Sequence, residues 1–230
     1  MNGLRWIGAG VAVAAGMRLA RSRRQRSLHP AGRSMTAELE IWGCVDPTGS
    51  TLLDRPGHYD VVVRLSKGVG TRRARPDVRG IALRVEGTDL LLSTVGPGRW
   101  GRRLPMPRRT FDARYGSIAA YRSGTGGKLY LAAGPDPSGR PLGRSLDTVG
   151  KAATLLLYAI RGPVVQPFGR VTLKDTLSPE TDAALAFDPI RNAGDDLRPT
   201  GLLHGVRGIA YRASQRWRGA RPQQLPGSPQ

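Results

Sequence analysis

The sequence predicts an α+β protein, an antiparallel β-barrel or sheet with helices packed outside it. Two observations predict this. Strand-like segments come first and in series, and helix-like segments fall late in the chain. Gly and Pro are abundant, 31 and 18 of 230 residues, which favours strands and turns over long helices. Hydrophobic residues make up 39% of the chain, enough for a core in one domain of ordinary size.

The elements follow in order. Residues 35–44 alternate loosely and read as a strand. Residues 59–66 (Tyr-Asp-Val-Val-Val-Arg-Leu-Ser) are β-branched and Val-rich, a second strand. Residues 78–85 and 89–95 make two more, with a basic loop at 67–75 before them and a Gly/Pro/Arg loop at 96–107 after them. Residues 111–122 read as a helix and 129–133 as a short apolar run. Residues 147–161 read as a helix with Asp147 as N-cap. Residues 164–173 return to a strand, and 183–187 are short and ambiguous. Residues 200–218 form the last helix, and the Pro/Gln-rich tail from 219 to 230 lacks the means to build a core. The resulting division is an apolar segment at 1–20, one domain at 21–218 and a tail at 219–230.

Charge and cysteine content narrow the functions. Lys and Arg number 36 against 17 acids, a net +19. Such a balance attracts polyanions, or it is a solvated surface written in arginine. Aromatic residues are only 6% and rarely interleave the arginines, which argues against a nucleic-acid platform. One cysteine, Cys44, permits no intrachain disulfide, suits a reducing, cytoplasmic setting and reads as a small buried filler. Three histidines, His29, His58 and His204, are too few for a multi-histidine metal site. His58 follows Pro56-Gly57 in a turn, and His204 lies about 60° off the polar stripe of the last helix. Residues 6–17 are apolar but shorter than a bilayer span, and arginines follow at once. The segment 1–26 reads either as a helix lying on an anionic membrane or as a plain N-terminal helix or tail.

The last helix carries the chemistry. Arg207, Tyr211, Ser214 and Arg218 are spaced i, i+4, i+7 and i+11, one narrow stripe. Leu202, Val206, Ile209, Ala213 and Trp217 fall on another face, suited to packing. The polar stripe is either solvated or holds an anionic ligand between two arginines and a tyrosine. A cation near a phenol favours the phenolate.

The run Arg207-Gly-Ile-Ala-Tyr211-Arg-Ala-Ser214-Gln-Arg216-Trp-Arg218 resembles the proximal helix of catalases. The stretch Ala186-Phe-Asp-Pro189 resembles what precedes that helix. Arg26-Ser-Leu-His29-Pro-Ala-Gly32 resembles the distal segment. Val63-Arg64-Leu65-Ser66, Asp77-Val-Arg79-Gly80-Ile-Ala82 and Asp89-Leu90 resemble successive barrel strands. The resemblance covers roughly residues 26–218. It implies a catalase-like barrel holding haem b, with Tyr211 as the iron ligand, as in other tyrosinate-ligated haem sites. It further implies that Arg207 and Ser214 support Tyr211, and that Arg26, Arg64 and Arg218 bind propionates. His29 is the implied distal acid/base, with Ser66 beside it. Two departures matter. Ser93 or Thr94 stands where catalases place a distal Asn, and the chain lacks the arm and extra helices of large catalases.

The implied activity is a peroxidase on hydrogen peroxide or organic hydroperoxides, using a small reductant, with some catalase activity. A second enzyme reading is an isomerase or lyase acting on organic hydroperoxides. The alternative from another class is a haem-binding or haem-free module whose basic surface meets membrane or nucleic acid. An absorption spectrum separates these readings.

Overall fold

The structure is a computed structural model and describes residues 31–68, 71 and 75–200. The expectations for the segment 1–20, for Arg26 and His29, for the last helix with His204, Arg207, Tyr211, Ser214 and Arg218, and for the tail lie outside the described residues.

Ten strands make up the body: β1 (Ala31–Ile41), β2 (Gly57–Lys67), β3 (Arg79–Val85), β4 (Thr88–Thr94), β5 (Tyr115–Gly116), β6 (Tyr121–Ser123), β7 (Lys128–Pro135), β8 (Thr154–Arg161), β9 (Val164–Thr176) and β10 (Leu197–Pro199). They pair antiparallel in the order β1-β2-β3-β4-β5-β7-β8-β9, and β9 returns to β1. This closes an eight-stranded barrel and leaves it no open edge. β6 and β10 extend from the end of β7.

Alternation explains the barrel. Val63 and Leu65 of β2, Ile81 and Leu83 of β3, and Leu90 and Leu92 of β4 are buried and point to one interior core. Their strand neighbours Arg64, Ser66, Gly80 and Ser93 therefore lie on the outer wall. The β3–β4 hairpin turns on Glu86 and Gly87, with φ 44° and 78°, between the paired Val85 and Thr88. Two positive φ values are what a tight hairpin matching the strand twist requires.

The strands expected at 35–44, 59–66, 78–85, 89–95 and 164–173 correspond to β1, β2, β3, β4 and β9, and the short apolar run at 129–133 lies in β7. Two expected helices are corrected. Residues 154–161 of the expected 147–161 helix form β8. Leu155, Leu157 and Ala159 face the core, while Leu156, Tyr158 and Ile160 are half-buried on the outer wall. A strand covered on both faces reads as a continuous apolar run, which periodicity cannot separate from a buried helix. Asp147 caps nothing; its side chain is exposed and lies 3.7 Å from Arg33. The expected helix at 111–122 is a loop, β5 and the start of β6. Ile118 sits there at φ 57°, which a right-handed helix does not allow. Helix among the described residues is limited to α1 (Thr51–Asp54), α2 (Gly98–Gly101) and α3 (Pro179–Ala184). The outer helical layer of an α+β protein is therefore not seen among them. The ambiguous 183–187 is the end of α3 and an extended stretch after it. No described helix is long and apolar enough to cross a membrane.

Candidate functional site on the outer barrel wall

Three of the expected site residues lie within the described residues, and the barrel brings them to one wall. Ser66 of β2 pairs with Gly80 of β3, Gly80 with Ser93 of β4, and Ser93 with Gly116 of β5. Residues directly opposite in antiparallel strands share a face. The row continues to Gly32 on one side and Ala132 on the other. Six strands thus contribute Gly, Ser or Ala at one level, and the stretch from Ser66 to Gly116 is about 14 Å across at the usual strand spacing. Two glycines flank Ser93, and its hydroxyl has no hydrogen-bond partner among the described residues although Ser93 is only 6% exposed. Ser66 Oγ donates a long bond, 3.4 Å, to the Gly80 carbonyl.

Arg64 lies two residues along β2 on the same wall, buried, with Nε donating to Asp182 of α3 at 3.1 Å. Ser34 donates to the same carboxylate. A Cβ on Gly32 would stand 2.4 Å from the Arg64 guanidinium atoms, so that group rests against bare β1 backbone.

Of the two hydroxyls offered for the distal Asn position, Thr94 is already committed. It faces inward, receives the Arg79 backbone N–H at 3.0 Å and donates to the Met106 carbonyl at 2.7 Å. Ser93 alone shares the wall with Ser66. His58 is solvated at the start of β2, its Nδ1 3.5 Å from Glu38. Cys44 is half-buried; burial, then Asp54, push its thiol pKa up to about 11, which disfavours the thiolate at neutral pH.

Three matched stretches prove to be anchors. Asp89, fully buried, pairs with Arg84 through both oxygens at 2.7 and 2.8 Å. It also accepts the Asp188 N–H at 2.7 Å and the Asn192 amide at 2.8 Å. The 186–189 stretch is thereby tied to the barrel, with Phe187 5.0 Å under the Arg84 guanidinium. Arg79 is wholly buried over the Phe111 ring at 4.2 Å and donates to the Arg108 and Arg109 carbonyls at 3.3 and 2.9 Å. Burial lowers its pKa against the opposing effect of Tyr115 and Asp77, and burial raises the pKa of Tyr115. Tyr115 donates to the Phe111 carbonyl at 2.7 Å. These groups position the loop that follows β4.

Sequence reasoning missed a cleft of about 790 Å³ that opens where the small-residue row reaches Gly116. Gly116, Ala132 and Gly134 floor it, and Tyr130 and Tyr158 stand along it. Arg102 stacks over Tyr130 at 4.5 Å, with a buried Nε that lacks a partner among the described residues. One side is the loop after β4 and the other the β8–β9 turn at Gly162 and Pro163. Arg64, Ser66 and Ser93 do not line it. Among the described residues, no group of three or more His, Cys, Asp or Glu is placed to hold a metal ion.

Solved structures share this architecture. A fungal catalase superposes with a TM-score of 0.60 at 12% identity, covering 90% of this chain and 62% of that one. Catalase A from Saccharomyces cerevisiae superposes with a TM-score of 0.59 at 12% identity, covering 90% and 64%. The fold is thus catalase-like. This chain spans less than two thirds of the length of either catalase. No protein-family model matches the sequence, and no curated protein sequence matches it.

Proposed function

We propose that this chain is a haem b-binding peroxidase of catalase-like fold, acting on hydrogen peroxide or organic hydroperoxides with a small reductant. The observation that carries the reading is the row Ser66-Gly80-Ser93-Gly116 on the outer wall, a run of small residues beside a buried arginine, with Val95 packed over its Gly116 end. Small residues there would suit the approach of a planar macrocycle, and Arg64, whose present counter-charge is Asp182, would bind a propionate. Arg26 and Arg218 would hold propionates with it. Tyr211 would ligate iron, supported by Arg207 and Ser214, on a helix at 200–218 packed outside the barrel. Bound haem would supply the redox iron at which a peroxide O–O bond is reduced. His29 would accept a proton from one peroxide oxygen and return it to the other. Ser93 would offer a short hydroxyl donor where a longer amide is usual. The lone thiol suits a cytoplasmic setting.

Purified protein titrated with ferric haem should give the Soret band of a tyrosinate-ligated, high-spin iron, and Tyr211→Phe should lose it. An aromatic donor should be oxidised in the presence of peroxide, and His29→Ala should abolish most of that rate. Failure to bind haem refutes the reading. A haem spectrum with no turnover supports instead a haem-binding module.

A further inference from the structure

The loop between β4 and β5 and the turn between β8 and β9 each expose apolar side chains. Trp100 is 69% exposed, Leu104 62% and Met106 36% on the first; Val165 is 58% and Val164 45% on the second. Both segments border one cleft, Pro97 to Arg99 from one side and Gly162, Pro163 and Val165 from the other, so they stand at the same side of the barrel. Exposed clusters of this kind on a folded chain mark contact surfaces.

The first loop is built to hold its display. Arg102, Arg103 and Leu104 N–H groups donate to Gly98, Trp100 and Gly101 carbonyls at 3.0–3.1 Å, and Met106 N–H donates to Thr94 at 2.8 Å. Gly96 and Gly101 meet backbone to backbone; a Cβ on Gly101 would stand 2.8 Å from the Gly96 carbonyl carbon. The exposed side chains thus need little ordering on contact.

The charge around them is predominantly positive, Arg99, Arg102 and Arg114 lining the shared cleft against one carboxylate, Asp112. Residues 90–111 contain Arg99, Arg102, Arg103, Arg108 and Arg109 and no carboxylate. Arg99 and Arg103 lie 5.3 and 5.6 Å from the Trp100 ring. Three surfaces could meet a Trp–Leu–Val cluster among arginines. A second copy in a two-fold contact would set the same arginines against one another. A single-stranded nucleic acid would use Trp100 but find no stacking partner in Leu104, Met106, Val164 or Val165. An anionic bilayer uses every part: aliphatic tips in the acyl boundary, Trp at headgroup depth and arginines on the phosphates.

We propose that the Trp100–Leu104 loop and the Val164–Val165 turn dock this barrel on an anionic lipid surface. This is independent of the haem reading and of any contact made by residues 1–26. The test uses the full chain with Trp6, Trp42 and Trp217→Phe, leaving Trp100 as the sole reporter. With phosphatidylglycerol vesicles carrying brominated acyl chains, Trp100 emission should shift blue and be quenched, and neither change should occur with phosphatidylcholine alone. In the natural chain, the double substitution Trp100→Ser with Leu104→Ser should weaken vesicle binding about tenfold or more. Its urea midpoint should not fall, because both side chains are exposed. Added salt should weaken binding. An unquenched Trp100, or equal binding by the double variant, overturns the proposal. So does a sedimentation coefficient that falls with the double substitution in the absence of lipid, which would make the face an interface between copies. Displacement of the vesicles by a short oligonucleotide that itself quenches Trp100 would assign the surface to nucleic acid.

Discussion

Gly32→Ala tests whether Arg64 is held where the outer-wall site needs it. Gly32 has a backbone conformation open to L residues, so the substitution adds no backbone strain. Its Cβ, however, would stand 2.4 Å from Cζ, Nη1 and Nη2 of Arg64, well inside contact distance. The guanidinium is the free end of a long side chain and can move, so the barrel survives. Moving breaks the 3.1 Å bond from Nε to Asp182. A hydrogen bond to a charged group contributes about 1.5–3 kcal/mol. The loss of a glycine from the unfolded chain returns about 0.4–1 kcal/mol. The net expectation is a destabilisation of about 1–2 kcal/mol. For a urea slope of about 2 kcal/mol per molar, the midpoint should drop by about 0.5–1 M with the slope unchanged. Gly150→Ala is the control, since a Cβ there meets nothing within 4 Å, and it should be neutral or slightly stabilising. The same Gly32 variant should bind haem more weakly if Arg64 holds a propionate. A midpoint that rises for Gly32→Ala as it does for Gly150→Ala would refute the placement of Arg64 against β1.

Asp89→Ala leaves Arg84 partly buried without its carboxylate and frees residues 186–192 from the barrel; urea denaturation should show a loss of about 3–5 kcal/mol. Asp136 has its pKa lowered: burial acts to raise it, but hydrogen bonds from Ser138 and the charge of Arg170 outweigh that. Its folded value lies below its unfolded one, so its stabilisation is present above the ordinary carboxylate range, about pH 4, and is lost as pH falls through the folded value. Asp136→Asn should therefore flatten the acid limb of a stability–pH profile and leave its neutral limb parallel to that of the natural chain. Ser93→Asn places an amide between two glycines and should raise oxygen release from hydrogen peroxide by about tenfold or more if Ser93 faces the peroxide. An oxygen electrode measures this, and Thr94→Asn, which would disturb the bonds to Arg79 and Met106, should not reproduce it.

How much was legible depends on which face of a strand carried the signal. β2 was plain because three consecutive β-branched residues, Val61 to Val63, are followed by the alternation Arg64, Leu65, Ser66. β8 was not, because Leu156, Tyr158 and Ile160 on its outer wall are as apolar as the core residues between them, and a doubly covered strand has no visible period. Residues 111–122 failed for a different reason. Phe111 and Tyr115 fall one helical turn apart, yet Tyr115 pairs across strands with Ala133 and Tyr121 with Leu129. Tertiary contact overrode local pattern there.

The candidate site shows the same division at the level of chemistry. Arg64 and Ser66 could be picked out by resemblance, but the floor could not, because Ser66, Gly80, Ser93 and Gly116 form a row only once four strands are in register. A one-residue slip of β4 would have put Thr94 on the wall and Ser93 in the core. Register therefore decides between the two hydroxyls that the sequence left equivalent. It does so through buried bonds at both ends of the strand: Thr94 is locked inward by the Arg79 N–H and the Met106 carbonyl, and Asp89 holds the other end to Arg84 and Asn192. The residues that aim the wall are thus buried polar groups at the strand ends, not the small residues that form it. The cleft beyond Gly116 follows the same logic, since its two sides, at 95–102 and 158–165, lie far apart in the chain and meet only through barrel closure at β7 and β8.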